Sequence, residues 1–184
     1  MLPTPLKEKL KELGVKRTPN ILVISISKQK ATLYHRGKKV KSYPVSTAEK
    51  GAGQMEGSYQ TPLGLHRVAE KFGDDAPLGA VFQSRKFTGE ICTPDSDLAK
   101  EKKDSDLILT RILWLEGMEE GFNSGTDAEE NVVDSYDRYI YIHGTNQEDW
   151  IGEPLSHGCI RMRNLAVKQV YEKLKEGDLV WIEE

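Results

Sequence analysis

A thiol, two imidazoles and a guanidinium fall in one short region: His143, then Ser156-His157-Gly158-Cys159-Ile160-Arg161. A cysteine attacks a carbonyl as the thiolate, and a free thiol titrates near about pH 8.5. An acyl-transfer site therefore needs an imidazole or backbone N–H dipoles to stabilise the anion. Cys159 has candidates for both. His157, two residues earlier, would share its side of an extended strand, whereas His143 must be brought across by the fold. Catalytic Cys and His are usually neighbours in space rather than in sequence, so His143 is the better candidate base. Gly158 lets the backbone take a tight or left-handed turn, so the N–H groups of Gly158 and Cys159 could both aim at a developing oxyanion.

Each of these residues also has a purely structural reading. A free cysteine is among the most buried residue types, but Cys159 sits in a polar, glycine-flanked setting. His157 could hydrogen-bond the turn as well as act on substrate, and Arg161 could be a surface ion-pair partner worth about 0 to 1 kcal/mol. His66 and His35 decorate strand faces. His143, His157 and Cys159 could also be three zinc ligands with water in the fourth position. Their spacing fits neither paired C-x-x-C nor H-E-x-x-H, so a site without metal or cofactor is expected.

The pattern His143-Gly144-Thr145, a loop, then Ser156-His157-Gly158-Cys159-Ile160-Arg161-Met162 resembles the signature of the L,D-transpeptidase (YkuD-type) catalytic domain, which remodels bacterial peptidoglycan. Thr61-Pro62-Leu63-Gly64, after the loop Lys50-Gly51-Ala52-Gly53, resembles that family's substrate-side region. The similarity runs from about residue 20 to 183, and a His plus S-H-G-C at this separation is far more specific than an isolated His-x-Cys pair. The resemblance implies that Cys159 is the nucleophile and attacks the third stem-peptide residue, usually a diamino acid, expelling the terminal D-alanine. It implies that His143 carries the proton while the Gly144 carbonyl orients its ring. His157 and Gly158 complete the implied catalytic set. Ser156, Thr145, Trp150 and Arg161 are the candidate substrate contacts, with Arg161 a reader of a carboxylate through its rigid fork of donors. The thioester would be resolved by an amine of a second stem peptide or by water, giving L,D-transpeptidation or L,D-carboxypeptidase trimming. The alternatives are a non-catalytic peptidoglycan-binding module of the same fold and a zinc-dependent peptidase.

Acidic and basic residues nearly cancel, 29 against 26 in 184 residues. That balance leaves no electrostatic footprint for nucleic acid or an anionic membrane. No stretch approaches the roughly 20 apolar residues of a membrane span. The N-terminus has no apolar run of the signal-peptide kind, although the implied substrate places the work in the periplasm or cell wall. Two cysteines are too few for a disulfide framework but could still pair with each other; catalysis at Cys159 requires it free or readily reduced, with Cys92 most simply a buried thiol.

The elements that must position these groups are mostly strands. Leu6, Leu10 and Leu13 predict a short amphipathic helix ended by Gly14. Residues 1–19 are thus an N-terminal helical extension, and 20–184 the catalytic domain, taken as a monomer. Strands are expected at Ile21–Ser27, Ala31–Tyr34, Lys39–Ser46, Leu63–Val68, Leu107–Trp114 and Tyr139–His143. Lys50–Gly57 and Asn146–Pro154 read as loops, the second carrying Trp150 to cover substrate or cap the core. Glu116–Asp134 reads as a mobile surface insertion. Asn164 is the expected cap of a helix with Val167, Val170, Tyr171 and Leu174 on one face, ended by Gly177 before the strand Leu179–Ile182. The expected fold is a mostly β domain, a sandwich or partly open barrel, with a helix after the nucleophile turn.

Overall fold

Ten strands join in one mixed sheet in the computed structural model, which describes residues 1–184. In chain order the elements are α1 (Thr4–Glu12), β1 (Asn20–Ser25), β2 (Lys30–His35), β3 (Lys38–Pro44), β4 (Gly64–Phe72), β5 (Ala80–Gln83) and β6 (Lys86–Ile91). They continue with α2 (Asp97–Glu101), β7 (Ile108–Gly117), β8 (Tyr141–Gly144), β9 (Ile160–Met162), α3 (Asn164–Lys173) and β10 (Leu179–Glu183). β1, β2 and β3 form an antiparallel meander, and β1 pairs in parallel with β10. β10 leads through β4 to β7, which also pairs β5 and β8. β9 adds in parallel to β8. The domain is mostly β, as expected, and the sheet does not close into a barrel.

Burial explains why the sheet curls on itself. Leu22, Ile24 and Leu33 from the meander meet Leu113, Leu115 and Ile142 from β7 and β8, and α3 covers them with Val167, Val170 and Tyr171. Each such side chain contributes roughly 1.5 to 3 kcal/mol by leaving water. The segment after β3 then returns to β9 through a Ser46–Arg161 bridge, which fastens the meander to the strand that follows Cys159. On the opposite face Leu2, just before α1, and Leu6 and Leu10 of α1 pack on Ile21, Val23, Leu65, Leu179 and Trp181.

Three local expectations are corrected. Asn164 is the first residue of α3, not its cap, and the carboxylate of Glu148 accepts from its N–H at 2.6 Å. The 116–134 segment is anchored rather than loose. Fully buried Asn123 donates to the carbonyls of Leu63 and Leu65 and accepts from the N–H of Glu119. The hairpin β5–β6 was not anticipated. All six residues of β6 are exposed, so no alternation of apolar and polar residues marks it.

His66 has more consequence than a face-decorating residue. It is fully buried, with Nδ1 against the Gly64 carbonyl at 3.1 Å and Nε2 against Ser135 Oγ at 2.9 Å. A carbonyl can only accept, so Nδ1 carries the proton and Nε2 accepts from the serine. Burial pushes its titration down from 6.5 to about 4. The unfolded chain therefore binds a proton that the folded chain refuses, and this contribution to stability is complete above pH 6.5 and lost as pH falls toward 4. Urea midpoints measured from pH 7 to 4 should drop by the equivalent of about 3 kcal/mol from this group. In a folded His66→Gln variant much of that slope should disappear; an unchanged slope would remove His66 as its source.

Candidate active site

The site is built on two short parallel strands. β8 pairs β9 with Ile142 opposite Ile160 and His143 opposite Arg161, and one step earlier Tyr141 lies beside Cys159. Paired residues share a face and alternate pairs share the same one, so Cys159 stands on the face that carries His143, two register steps away. Strand spacing of about 4.8 Å and two rises of about 3.3 Å put the two Cα atoms roughly 8 Å apart. Both side chains also feel the same two charges, Asp106 and Arg161.

A bulge aims His143. β7 pairs Leu109 with Gly144 and then Ile112 with His143, so Thr110 and Arg111 are extra residues opposite the His143–Gly144 step. Thr110 takes a left-handed φ of 71°, and its hydroxyl donates to Asn164 Oδ1. Such bulges bend a strand and re-aim its side chains. Gly144 is required there by crowding, because a Cβ would lie 2.7 Å from the Leu109 carbonyl.

The imidazole of His143 is 2% exposed, and its Nδ1 lies 2.7 Å from the Gly144 carbonyl. Nδ1 must donate to that oxygen, which leaves the lone pair on Nε2. Burial lowers the titration of His143 below its ordinary value. Asp106 and the Gly144 bond oppose this without reversing it, and Arg161 adds to it. The ring is therefore neutral at pH 7.

The sulfur of Cys159 has backbone partners. It accepts from the Tyr141 N–H and donates to the Tyr139 carbonyl, both at 3.4 Å. Tyr139 holds a left-handed φ of 55°, uncommon for a tyrosine and frequent at functional sites. The thiol is partly exposed yet crowded by protein, and burial pushes it up to about 11. The Tyr141 N–H, Arg138 and Arg161 offset part of that rise, while Asp106 adds to it. The resting pair is thus neutral thiol and neutral imidazole, without a thiol–imidazole hydrogen bond.

The turn Ser156–Cys159 is braced from below. Ser156, 2% exposed, donates from Oγ to the Cys159 carbonyl at 2.6 Å and accepts from the Gly158 N–H at 3.2 Å. Gly158 holds φ at 130°, where a side chain would be strained. Thr61 Oγ1 donates to the Gly158 carbonyl at 2.9 Å, tying in the 50–64 segment. The expected pair of oxyanion donors is corrected to one. The Gly158 N–H is already used by Ser156, whereas the Cys159 N–H has no protein acceptor.

The remaining candidates are placed unevenly. Arg161 was expected to face a substrate carboxylate, but it is 1% exposed and turned inward. Its guanidinium meets Gln147 Oε1 at 2.7 Å, Ser46 Oγ at 2.9 Å and Asp106 Oδ1 at 3.2 Å. All three residues of β9 are buried, and the segment bridged to its free edge supplies the Ser46 hydroxyl that meets the Arg161 guanidinium. Thr145 is fully buried and caps the next turn by accepting from the Gln147 N–H. Trp150 ends the 3-10 turn Glu148–Trp150 and is 54% exposed. His157 is exposed, edge-on to Tyr59 with ring centroids 6.0 Å apart, and Lys50 lies over the same tyrosine. His143, His157 and Cys159 do not converge as a ligand set, and no group of three His, Cys, Asp or Glu side chains could hold a metal ion. Both cysteines are free. No helix is long and apolar enough to cross a membrane.

Sequence reading overlooked three groups. Asp106 lies in a polar stretch with no motif. The Tyr139 carbonyl acts through backbone geometry that no residue type announces. Arg138, next to it, gave a signal only as a cation at the start of the strand carrying His143.

Comparison with known proteins assigns the chain to a family. A family model described as the YkuD L,D-transpeptidase catalytic domain matches residues 19–182. The probable L,D-transpeptidase YbiS of Escherichia coli K12 is 29% identical over 121 residues, covering 65% of this chain and 35% of that protein. The putative L,D-transpeptidase YqjB of Bacillus subtilis is 45% identical over 47 residues, 25% of this chain and 27% of that protein. The chain thus matches only about a third of these curated relatives. A solved L,D-transpeptidase from Mycobacterium smegmatis superposes with a TM-score of 0.51 at 17% identity, covering 90% of this chain and 59% of that one. One from Stackebrandtia nassauensis gives 0.50 at 20% identity, covering 92% and 57%. At such identities the fold is what is shared.

Proposed function

Because the chain belongs to the YkuD family of L,D-transpeptidase catalytic domains, we propose that it is a cysteine-dependent acyltransferase of peptidoglycan stem peptides. The observation that carries this is the parallel β8–β9 register, with Cys159 beside Tyr141 and His143 held by Gly144. Substrate binding draws the thiol away from the Tyr139 carbonyl. Its proton then passes to Nε2 of His143 as the Sγ–carbon bond forms at the third stem residue. The oxyanion takes the Cys159 N–H, a donor of the kind whose loss slows acyl transfer by roughly a hundred- to a thousand-fold. Collapse breaks the C–N bond, and the imidazolium returns its proton to the departing amine of D-alanine. An amine of a second stem peptide, or water, next attacks the thioester, gives a proton to His143 and releases the thiol. One site can thus run transpeptidation and carboxypeptidase trimming.

In this reading Ser156 and Gly158 shape the nucleophile turn, Thr145 steadies the loop after His143, and Arg161 fixes Ser46 and Gln147 rather than meeting substrate. Exposed His157 and Trp150 are left to contact it. Residues 1–19 are an extension packed on a catalytic unit of 20–184, which acts as a monomer, without a cofactor, in the periplasm or cell wall. Incubation with a disaccharide-tetrapeptide tests the proposal. Mass analysis should show loss of terminal D-alanine, with cross-linked dimers, free tripeptide or both. Tetrapeptide bound but unchanged would instead fit a non-catalytic wall-binding module.

A further inference from the structure

Arg138 is a half-buried cation without an ion-pair partner. Nη1 donates to the carbonyls of Gly53 at 3.2 Å and Gln54 at 2.7 Å. Nη2 donates to the Gln60 carbonyl at 2.7 Å and to Ser58 Oγ at 3.5 Å. All four acceptors are neutral, and Arg138 makes no salt bridge with any carboxylate. A charge removed from water normally has an opposite charge beside it. The two acidic groups that feel this one are Glu56, on the exposed side of the loop, and the thiol of Cys159.

Its position reaches both walls of the nucleophile. The next residue, Tyr139, offers the carbonyl that accepts the thiol. The segment Arg138 grips, Gly53–Gln60, runs into Thr61, which holds the Gly158 carbonyl. Gln60, one of its acceptors, places its carbonyl 3.3 Å from where a side chain at position 158 would begin.

We infer that Arg138 is a positioning residue for the nucleophile, clamping the 53–60 loop against the Gly158 turn and holding a fixed positive charge toward Cys159 in its anionic states. The inference rests on the reading of Cys159 as the attacking group and deepens it. The other charged or titratable groups around the sulfur are Arg161, which acts in the same direction, and Asp106, which opposes it. Neutral His143 on the same face, and the hydroxyl of Tyr141 with the Arg85 bonded to it, complete the surroundings.

The test is the pH dependence of Cys159 alkylation by iodoacetamide between pH 7 and 11 in the full chain, located by peptide mapping so that Cys92 is scored separately. In Arg138→Gln the rise should move up by about half a unit or more, because the opposite charge is gone. Arg138→Lys keeps the charge and loses the fork. Its alkylation profile should match the parent, while acylation by a stem tetrapeptide slows by about tenfold or more through loss of alignment. A folded Arg138→Gln with the parent profile would overturn the electrostatic role, and Arg138→Lys with parent acylation would overturn the clamp. If Arg138→Gln does not fold, Arg138→Lys decides: a profile moved up despite the kept charge would also overturn the inference. Alkylation reads the thiol whether or not peptidoglycan is the substrate. A shifted profile with no peptide acylation in the parent would therefore defeat the functional reading and the clamp with it, while the electrostatic role of Arg138 stood.

Discussion

His143→Gln should lower the rate of acylation by a stem tetrapeptide by about a thousandfold or more, within the range that a positioned general base supplies. The effect should be this large because the resting thiol is neutral at pH 7, pushed up to about 11 by its surroundings. Without the free Nε2 lone pair there is no group placed to take its proton. The pH profile separates this role from a structural one. Burial lowers the titration of His143 below 6.5, and only the neutral ring can accept a proton. Activity in the parent should therefore persist through pH 6.5 and fall only in more acid solution, as the imidazole charges. His143→Gln should lose that acid limb along with the rate. A variant that is uniformly slower but keeps the limb would assign the titration to another group.

The second large effect is at the sulfur. Cys159→Ser should reduce turnover by about ten-thousandfold or more, the scale seen when an acyl-transfer nucleophile is removed. The replacement is nearly isosteric, and its hydroxyl can keep the bond to the Tyr139 carbonyl, so thermal stability should change little. A hydroxyl is a far weaker nucleophile than a thiol in the same place, and neutral His143 has to do correspondingly more. Turnover within tenfold of the parent would mean that residue 159 is not the attacking group.

The site was legible where its chemistry lies in a contiguous string. Ser156 to Arg161 announces a turn and a nucleophile because glycine, serine and cysteine each have a local reason to be there, and His143 stands out among only four histidines. α1, the first hairpin and α3 were equally visible, since their apolar residues recur at the spacing of the element they form. What stayed hidden depends on partners far along the chain. Arg161 read as exposed because arginine usually is, and nothing in residues 156–162 says that Ser46 will close the other edge of β9. The two-residue bulge at Thr110 and Arg111 leaves the apolar pattern of β7 almost intact, yet it sets the angle of His143. The Gly158 N–H looked free for an oxyanion until Ser156 folded beneath it. β6 lay outside reach for the opposite reason, because with every residue exposed it leaves no hydrophobic period to read.

Neutral thiol and neutral imidazole share a face without an ion pair, and the sulfur is parked on the Tyr139 carbonyl. In the proposed mechanism the thiolate forms at neutral pH as substrate displaces that contact, and a protonated sulfur is a poor target for oxidation until then.

Intact-mass measurement of the protein mixed with a stem tetrapeptide and quenched in acid is the most direct test. The expected result is a mass increase equal to the acyl tripeptide, sensitive to hydroxylamine as a thioester is, mapped to the peptide that contains Cys159 and absent from Cys159→Ala. An adduct of equal yield on Cys159→Ala, or D-alanine released with no thioester at any quench time, would contradict it.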